Sequence, residues 1–254
     1  MILRKLLSAA ALLLAIAAPA AAQPRVDCAP PAEAAALSAP LPHVTDAVAQ
    51  GARLRIVAIG SSSTAGAGAS VPERSYPARL AHHLKTLFPR LPVEVLNKGV
   101  NGETTAQMLA RFSDDVFALA PDLVIWQAGA NTVLRDGSYE GVDREVREGV
   151  EMLREAGIDV ILMDTQYAPA VLARPRHDEM TMRLQRIAME ERIGLFRRFG
   201  LMRWLVETRR AGMADLIGPD GIHHTDAGYD CVARALAQGI EGAVRVVSAV
   251  RPGR

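Results

Sequence analysis

Short apolar runs alternate with segments of helical period along most of this chain, and that alternation leaves few folds open to it. Leu54 to Ile59, Val93 to Leu96, Leu123 to Trp126 and Ile158 to Met163 are dominated by Val, Ile and Leu, as strands buried within a sheet are. After them come Ser75 to Phe88, Thr104 to Leu119, Tyr139 to Ala156 and Asp178 to Ile193, which have helical length and apolar spacing; Pro89, Pro121 and Gly157 stop three of them. Strands separated by helical crossovers run parallel. The expected class is therefore α/β, a parallel sheet with helices on both faces, whose ligand sites gather where the strands end at their carboxyl side.

The chain begins with an address. Arg4 and Lys5 form a positive region, Leu6 to Ala18 an apolar one, and Ala20-Ala21-Ala22 a small-residue cleavage site, so residues 1–22 read as a secretory signal peptide. The apolar run lies between Arg4 and Pro19, short of the roughly 20 residues that a spanning helix needs. A periplasmic or secreted protein with no stable membrane insertion is expected. Residues 23–50, rich in Ala and Pro, read as an N-terminal arm and residues 51–254 as one domain. Loss of Arg4 and Lys5 turns the formal charge from +1 to −1, which excludes the basic excess that nucleic-acid binding requires. The chain is expected to be monomeric. Its two cysteines, Cys28 and Cys231, allow one disulfide or two buried thiols, and in an oxidising compartment the bridge is expected, pinning the arm to the last part of the fold.

Four segments carry chemistry. Gly60-Ser61-Ser62-Ser63-Thr64-Ala65-Gly66-Ala67-Gly68 follows the first strand and matches neither the phosphate loop, which needs Lys then Ser or Thr, nor the three-glycine dinucleotide fingerprint. It can present Ser62 on a sharp strand-to-helix turn, although small polar turns of this kind are also ordinary helix caps. Gly102 and Asn131 follow the second and third strands, and each could donate a hydrogen bond to a substrate oxygen: Gly102 through an N–H with no Cβ beside it, Asn131 through a side-chain amide that does not titrate. Alone, either would read as a turn or cap residue. Near the C-terminus, Asp220-Gly221-Ile222-His223 sets a carboxylate and an imidazole on one tight turn. A serine hydroxyl is too weakly acidic to attack an ester without a base, and that base needs a carboxylate to fix its tautomer. No H-E-x-x-H or paired CxxC set offers metal ligands, so no metal site is expected.

Taken together and in this order, the four blocks resemble the SGNH or GDSL-like hydrolase family. Gly60-Ser61-Ser62-Ser63-Thr64 is similar to its G-D-S-x-T, Gly102 stands at its oxyanion glycine, Asn131 at the asparagine of G-x-N-D, and Asp220 and His223 at D-x-x-H. The resemblance implies a flavodoxin-like three-layer α/β/α sandwich. It also implies a serine esterase that needs neither metal nor cofactor, with Ser62, His223 and Asp220 as triad, and Ser62, Gly102 and Asn131 as oxyanion hole. For an exported enzyme of this type the expected substrate is a small-molecule or glycan ester: an O-acetyl group on a polysaccharide, or a short-chain lipid ester or thioester. Three positions depart from the pattern: Ser61 and Thr132 replace aspartates, and His224 stands where proline often follows the catalytic histidine. His224 thereby becomes a rival base. The second class of function compatible with these residues is a non-catalytic carbohydrate- or ligand-binding descendant of the same fold.

Overall fold

The four expected strands form, and a fifth joins them: β1 (Leu54–Gly60), β2 (Val93–Gly99), β3 (Leu123–Gln127), β4 (Asp159–Met163) and β5 (Gly194–Phe196). They are seen in a computed structural model that describes residues 26–250; the leader expected over residues 1–22 lies outside them. All strands are parallel and lie in the order β2-β1-β3-β4-β5. β1 is flanked by β2 on one side and by β3 on the other, so the order reverses there, opening a crevice at the carboxyl ends of β1 and β3 where sites form in doubly wound sheets.

Helices Pro42–Gln50, Tyr76–Leu87 and Asp226–Val250 pack together on one face of the sheet, and Thr105–Ala110, Tyr139–Glu155 and His177–Glu191 on the other, giving the three-layer α/β/α sandwich. β3 and β4 are buried along their whole length, and β1 at every position but Arg55. Burial of each Leu, Ile or Val side chain in such a layer contributes about 1.5–3 kcal/mol, so the stability resides in the middle of the sheet and its carboxyl rim is left for polar residues.

The part of the arm within the described residues is docked against this core. Leu41 and Val44 are buried, the Val44 N–H donates to Asp159 Oδ2 at 3.0 Å, and a Cys28–Cys231 disulfide ties the arm to the helix Asp226–Val250. Two elements differ from expectation. The helix anticipated over Thr104 to Leu119 breaks into Thr105–Ala110, Phe112–Asp115 and a short 3-10 turn, Phe117–Leu119. Arg111 at the break turns its guanidinium inward to the Lys98 carbonyl at 2.7 Å and to Glu103 at 2.8 Å, a set of partners that a continuous helix could not offer. β5 is three residues long, too short to show a period.

Candidate active site

The first element of the site is a turn forced by crowding. β1 ends at Gly60, and a Cβ there would lie 2.2 Å from Thr64 Oγ1 and 2.9 Å from Gln127 Cβ, so only glycine lets the chain fold back. Ser62 then opens the one-turn helix Ser62–Ala65. Ser61 points inward, and both its N–H and its Oγ–H donate to Gln127 Oε1 at 2.9 Å. The position where the resemblance expects an aspartate thus anchors the turn to the end of β3 by neutral hydrogen bonds.

Ser62 Oγ lies 2.9 Å from His223 Nε2, and His223 Nδ1 lies 2.6 Å from Asp220 Oδ2. Asp220 Oδ1 accepts the backbone N–H groups of Ile222 and His223, each at 3.0 Å. Burial opposes ionisation of Asp220, but those two N–H groups and the His223 ring outweigh it and hold the carboxyl down to about 2. Asp220 is therefore a carboxylate at neutral pH and accepts a hydrogen bond from the Nδ1–H, which leaves the Nε2 lone pair facing the serine hydroxyl. The side chains of His223 and Asp220 are 23% and 48% exposed, so this relay stands at an open surface. A cleft of about 900 Å³ runs past Gly218 and Pro219 behind the same loop, and its lining includes neither Ser62 nor His223.

The remaining two residues singled out from the sequence border the crevice. Gly102 has φ +78°, a left-handed conformation suited to glycine, and its N–H has no acceptor among the described residues. The Ser62 N–H, first in its helix, is likewise without an acceptor there. Asn131 Nδ2 donates to the Glu103 carbonyl at 2.8 Å, which ties the helix Ala130–Leu134 to the Gly102 loop. An amide nitrogen carries two hydrogens, so one remains for another acceptor.

His224, the rival base, is placed elsewhere. An isolated antiparallel bridge pairs it with Ile217, and its ring is fully buried, stacked on Tyr229 with centroids 4.9 Å apart. Burial first, then Arg198 and His223, push it well below the ordinary histidine range.

Sequence reasoning missed three buried polar residues around the site: Gln127, Gln166 and Arg198. Gln166 Nε2 donates to the Ile222 carbonyl at 3.3 Å, and Arg198 Nη2 donates to Gln166 Oε1 at 3.0 Å. The available signal was positional: each lies at or shortly after the carboxyl end of a strand, β3, β4 and β5 in turn.

The chain shares stretches with two esterases: 28% identity over 115 residues with an arylesterase of Vibrio mimicus, covering 45% of this chain and 56% of that protein, and 33% over 92 residues with an acetylxylan esterase of Geobacillus stearothermophilus, covering 36% and 39%. The matches thus span about half or less of those relatives. Among solved structures, a two-domain esterase active on acetylated mannans superposes with a TM-score of 0.70 at 22% identity, over 83% of this chain and 56% of that one. An acetylxylan esterase from Geobacillus stearothermophilus does so with a TM-score of 0.63 at 24% identity, over 74% and 94%. Those likenesses establish the shared fold. Residues 27–246 match the Non-GDSL lipase-like family, which corrects the GDSL part of the expected resemblance, and the chain belongs to that family.

Proposed function

We propose that this chain is an exported serine esterase that hydrolyses carboxylic esters, O-acetyl or short-chain acyl, through an acyl-enzyme. One observation carries the reading: a hydroxyl, an imidazole and a carboxylate from remote parts of the chain line up at 2.9 and 2.6 Å. His223 Nε2 takes the Ser62 proton as Oγ attacks the ester carbonyl, and Asp220 steadies the imidazolium. The negative oxygen that develops is met by the Ser62 N–H, the Gly102 N–H and the Asn131 amide. The imidazolium then gives its proton to the leaving alcohol, and water, activated by the same His223, releases the acid.

The esterases among its relatives support ester hydrolysis, and those named for xylan and mannan point to an ester carried on a glycan. The open placement of the relay suits such a substrate, because a polymer can lie across a surface that it could not enter as a closed pocket. Export is supported by the leader-like residues 1–22 and by the Cys28–Cys231 disulfide, which persists in oxidising compartments. The test is labelling with a fluorophosphonate ester probe: wild type takes one label and Ser62→Ala none. Equal labelling of the two would remove Ser62 as nucleophile. Release of acetate from acetylated xylan and mannan, set against p-nitrophenyl esters of rising chain length, then decides the substrate.

A further inference from the structure

Arg198 is an expensive residue for this fold to keep. It is fully buried at the start of the helix Arg198–Glu207, beyond β5, and its Nε and Nη1 have no hydrogen-bond partner among the described residues. A guanidinium withdrawn from water costs several kcal/mol unless it is closely paired. Asp164 is near but does not pair with it directly: its Oδ1 accepts the Phe199 N–H at 2.9 Å. The hydrogen bond that Arg198 does make goes to a neutral group, the Gln166 amide oxygen.

That bond dictates which way the amide faces. Arginine has only donors and a backbone carbonyl only accepts, so Oε1 must face Arg198 and Nε2 must face the Ile222 carbonyl. The cation also polarises the amide and makes its N–H a stronger donor. Ile222 lies between Asp220 and His223, and its own N–H is held by Asp220 Oδ1. A second bond from the same side, Ala170 N–H to the Gly221 carbonyl at 2.9 Å, fastens the neighbouring peptide. The Asp220–His223 turn is therefore clamped both from within and by the segment that follows β4.

We propose that Gln166, oriented by the buried Arg198, is a positioning residue that fixes the Ile222–His223 peptide and with it the direction of the His223 ring toward Ser62. The proposal rests on the esterase reading above and adds to it why the fold retains a buried charge that reaches the chemistry only through Gln166 and Ile222. A misplacement of about 1 Å at a reacting group can cost as much as 10²-fold in rate, so a clamp of this kind matters even though neither residue touches substrate.

Gln166→Glu separates positioning from simple satisfaction of Arg198, because the carboxylate keeps an acceptor for the guanidinium and removes the donor to Ile222. Gln166→Met removes both. With p-nitrophenyl acetate, Gln166→Glu is expected to melt no lower than Gln166→Met, yet to lose about 10-fold in kcat with KM within about 2-fold. Amide hydrogen exchange at Ile222 and His223 should quicken in Gln166→Glu. Wild-type kcat in Gln166→Glu overturns the proposal whatever its melting temperature, since a merely structural Gln166 would affect stability alone. If the wild-type protein takes no fluorophosphonate label, the esterase reading fails separately; exchange then decides the clamp, and unchanged exchange at Ile222 and His223 overturns it.

Discussion

His223 and His224 are consecutive residues in opposite surroundings. The ring of His223 is bonded at both nitrogens, to Ser62 and to Asp220, and opens to solvent; that of His224 has no hydrogen bond at either nitrogen among the described residues and is fully buried against Tyr229. The difference arises where the bend at Gly221 to His223 gives way to the isolated bridge between His224 and Ile217: His223 stays on the bend facing Ser62, and the bridge holds His224 against the buried layer. The turn thus divides two regions: an open polar edge arranged for proton transfer, and a buried layer holding His224, Arg198 and Asp164. An imidazole is useful as a base only where its charged form is supported. His223 has a carboxylate to support it, whereas burial and a nearby arginine keep His224 neutral.

The sharpest way to break this comparison is His223→Ala. If His223 is the base, kcat falls by about 10⁴-fold or more while the melting temperature hardly moves, as measured by p-nitrophenyl acetate turnover and thermal unfolding. Activity that survives His223→Ala would transfer the role to another group and erase the contrast with His224.

The buried layer has a signature of its own. Burial raises the Asp164 carboxyl to about 7, against the opposing pull of the Phe199 N–H and of Arg198. A carboxylate whose folded value exceeds its unfolded value of 3.8 binds its proton more tightly in the native state, so its penalty is absent at low pH and grows as pH rises from about 4 to about 7. Asp159, raised by burial to about 6, acts in the same direction. Asp220 acts oppositely but titrates below this window. His224 and His83, which burial holds below the ordinary histidine range, act oppositely within it, because the unfolded chain gains their protons as pH falls through about 6.5 and the native state does not. Taken by itself, Asp164 favours pH 5 over pH 8 by up to about 3 kcal/mol. Asp164→Asn should remove that share, so that its stability relative to wild type rises by up to about 3 kcal/mol from pH 5 to pH 8 in denaturant titrations, and a difference that does not change with pH would mean that the layer is wetter than its burial indicates.

On the open edge, Asn131→Ala is expected to cost about 10²- to 10³-fold in kcat, equivalent to about 2.7–4 kcal/mol of barrier. The Asn131–Glu103 bond also joins two loops, so KM distinguishes the roles: a change confined to kcat marks oxyanion support, and a rise in KM with kcat intact marks loop anchoring.

How far the sequence carries follows from the same division. Ser62, Gly102, Asn131, Asp220 and His223 were legible because each stands in a small or polar loop beyond an apolar run, where side chains with no part in packing are conspicuous. The parallel sheet was legible from the runs themselves. Gln127, Gln166 and Arg198 were not, because polar residues that turn inward look in sequence like polar residues that face water; only the coordinates reveal burial. β5 was too short to declare itself, and the helix anticipated over Thr104 to Leu119 was broken by an inward-turned Arg111 that no local propensity encodes.

The smallest effect is expected from His224→Phe. Burying an imidazole whose two nitrogens have no partner among the described residues costs more than burying a hydrocarbon ring of similar shape, because each nitrogen gives up water without compensation. Phenylalanine keeps the stacking on Tyr229 and removes that penalty, at the cost of fitting a slightly larger ring into a packed layer. The two terms are of similar size and opposite sign, so stability should change by no more than about 1 kcal/mol, with kcat untouched because His224 does not reach Ser62. Thermal unfolding and p-nitrophenyl acetate turnover measure both. A loss above about 3 kcal/mol would show that the His224 nitrogens have partners after all, and a loss of kcat at unchanged stability would make His224 part of the relay that His223 is assigned.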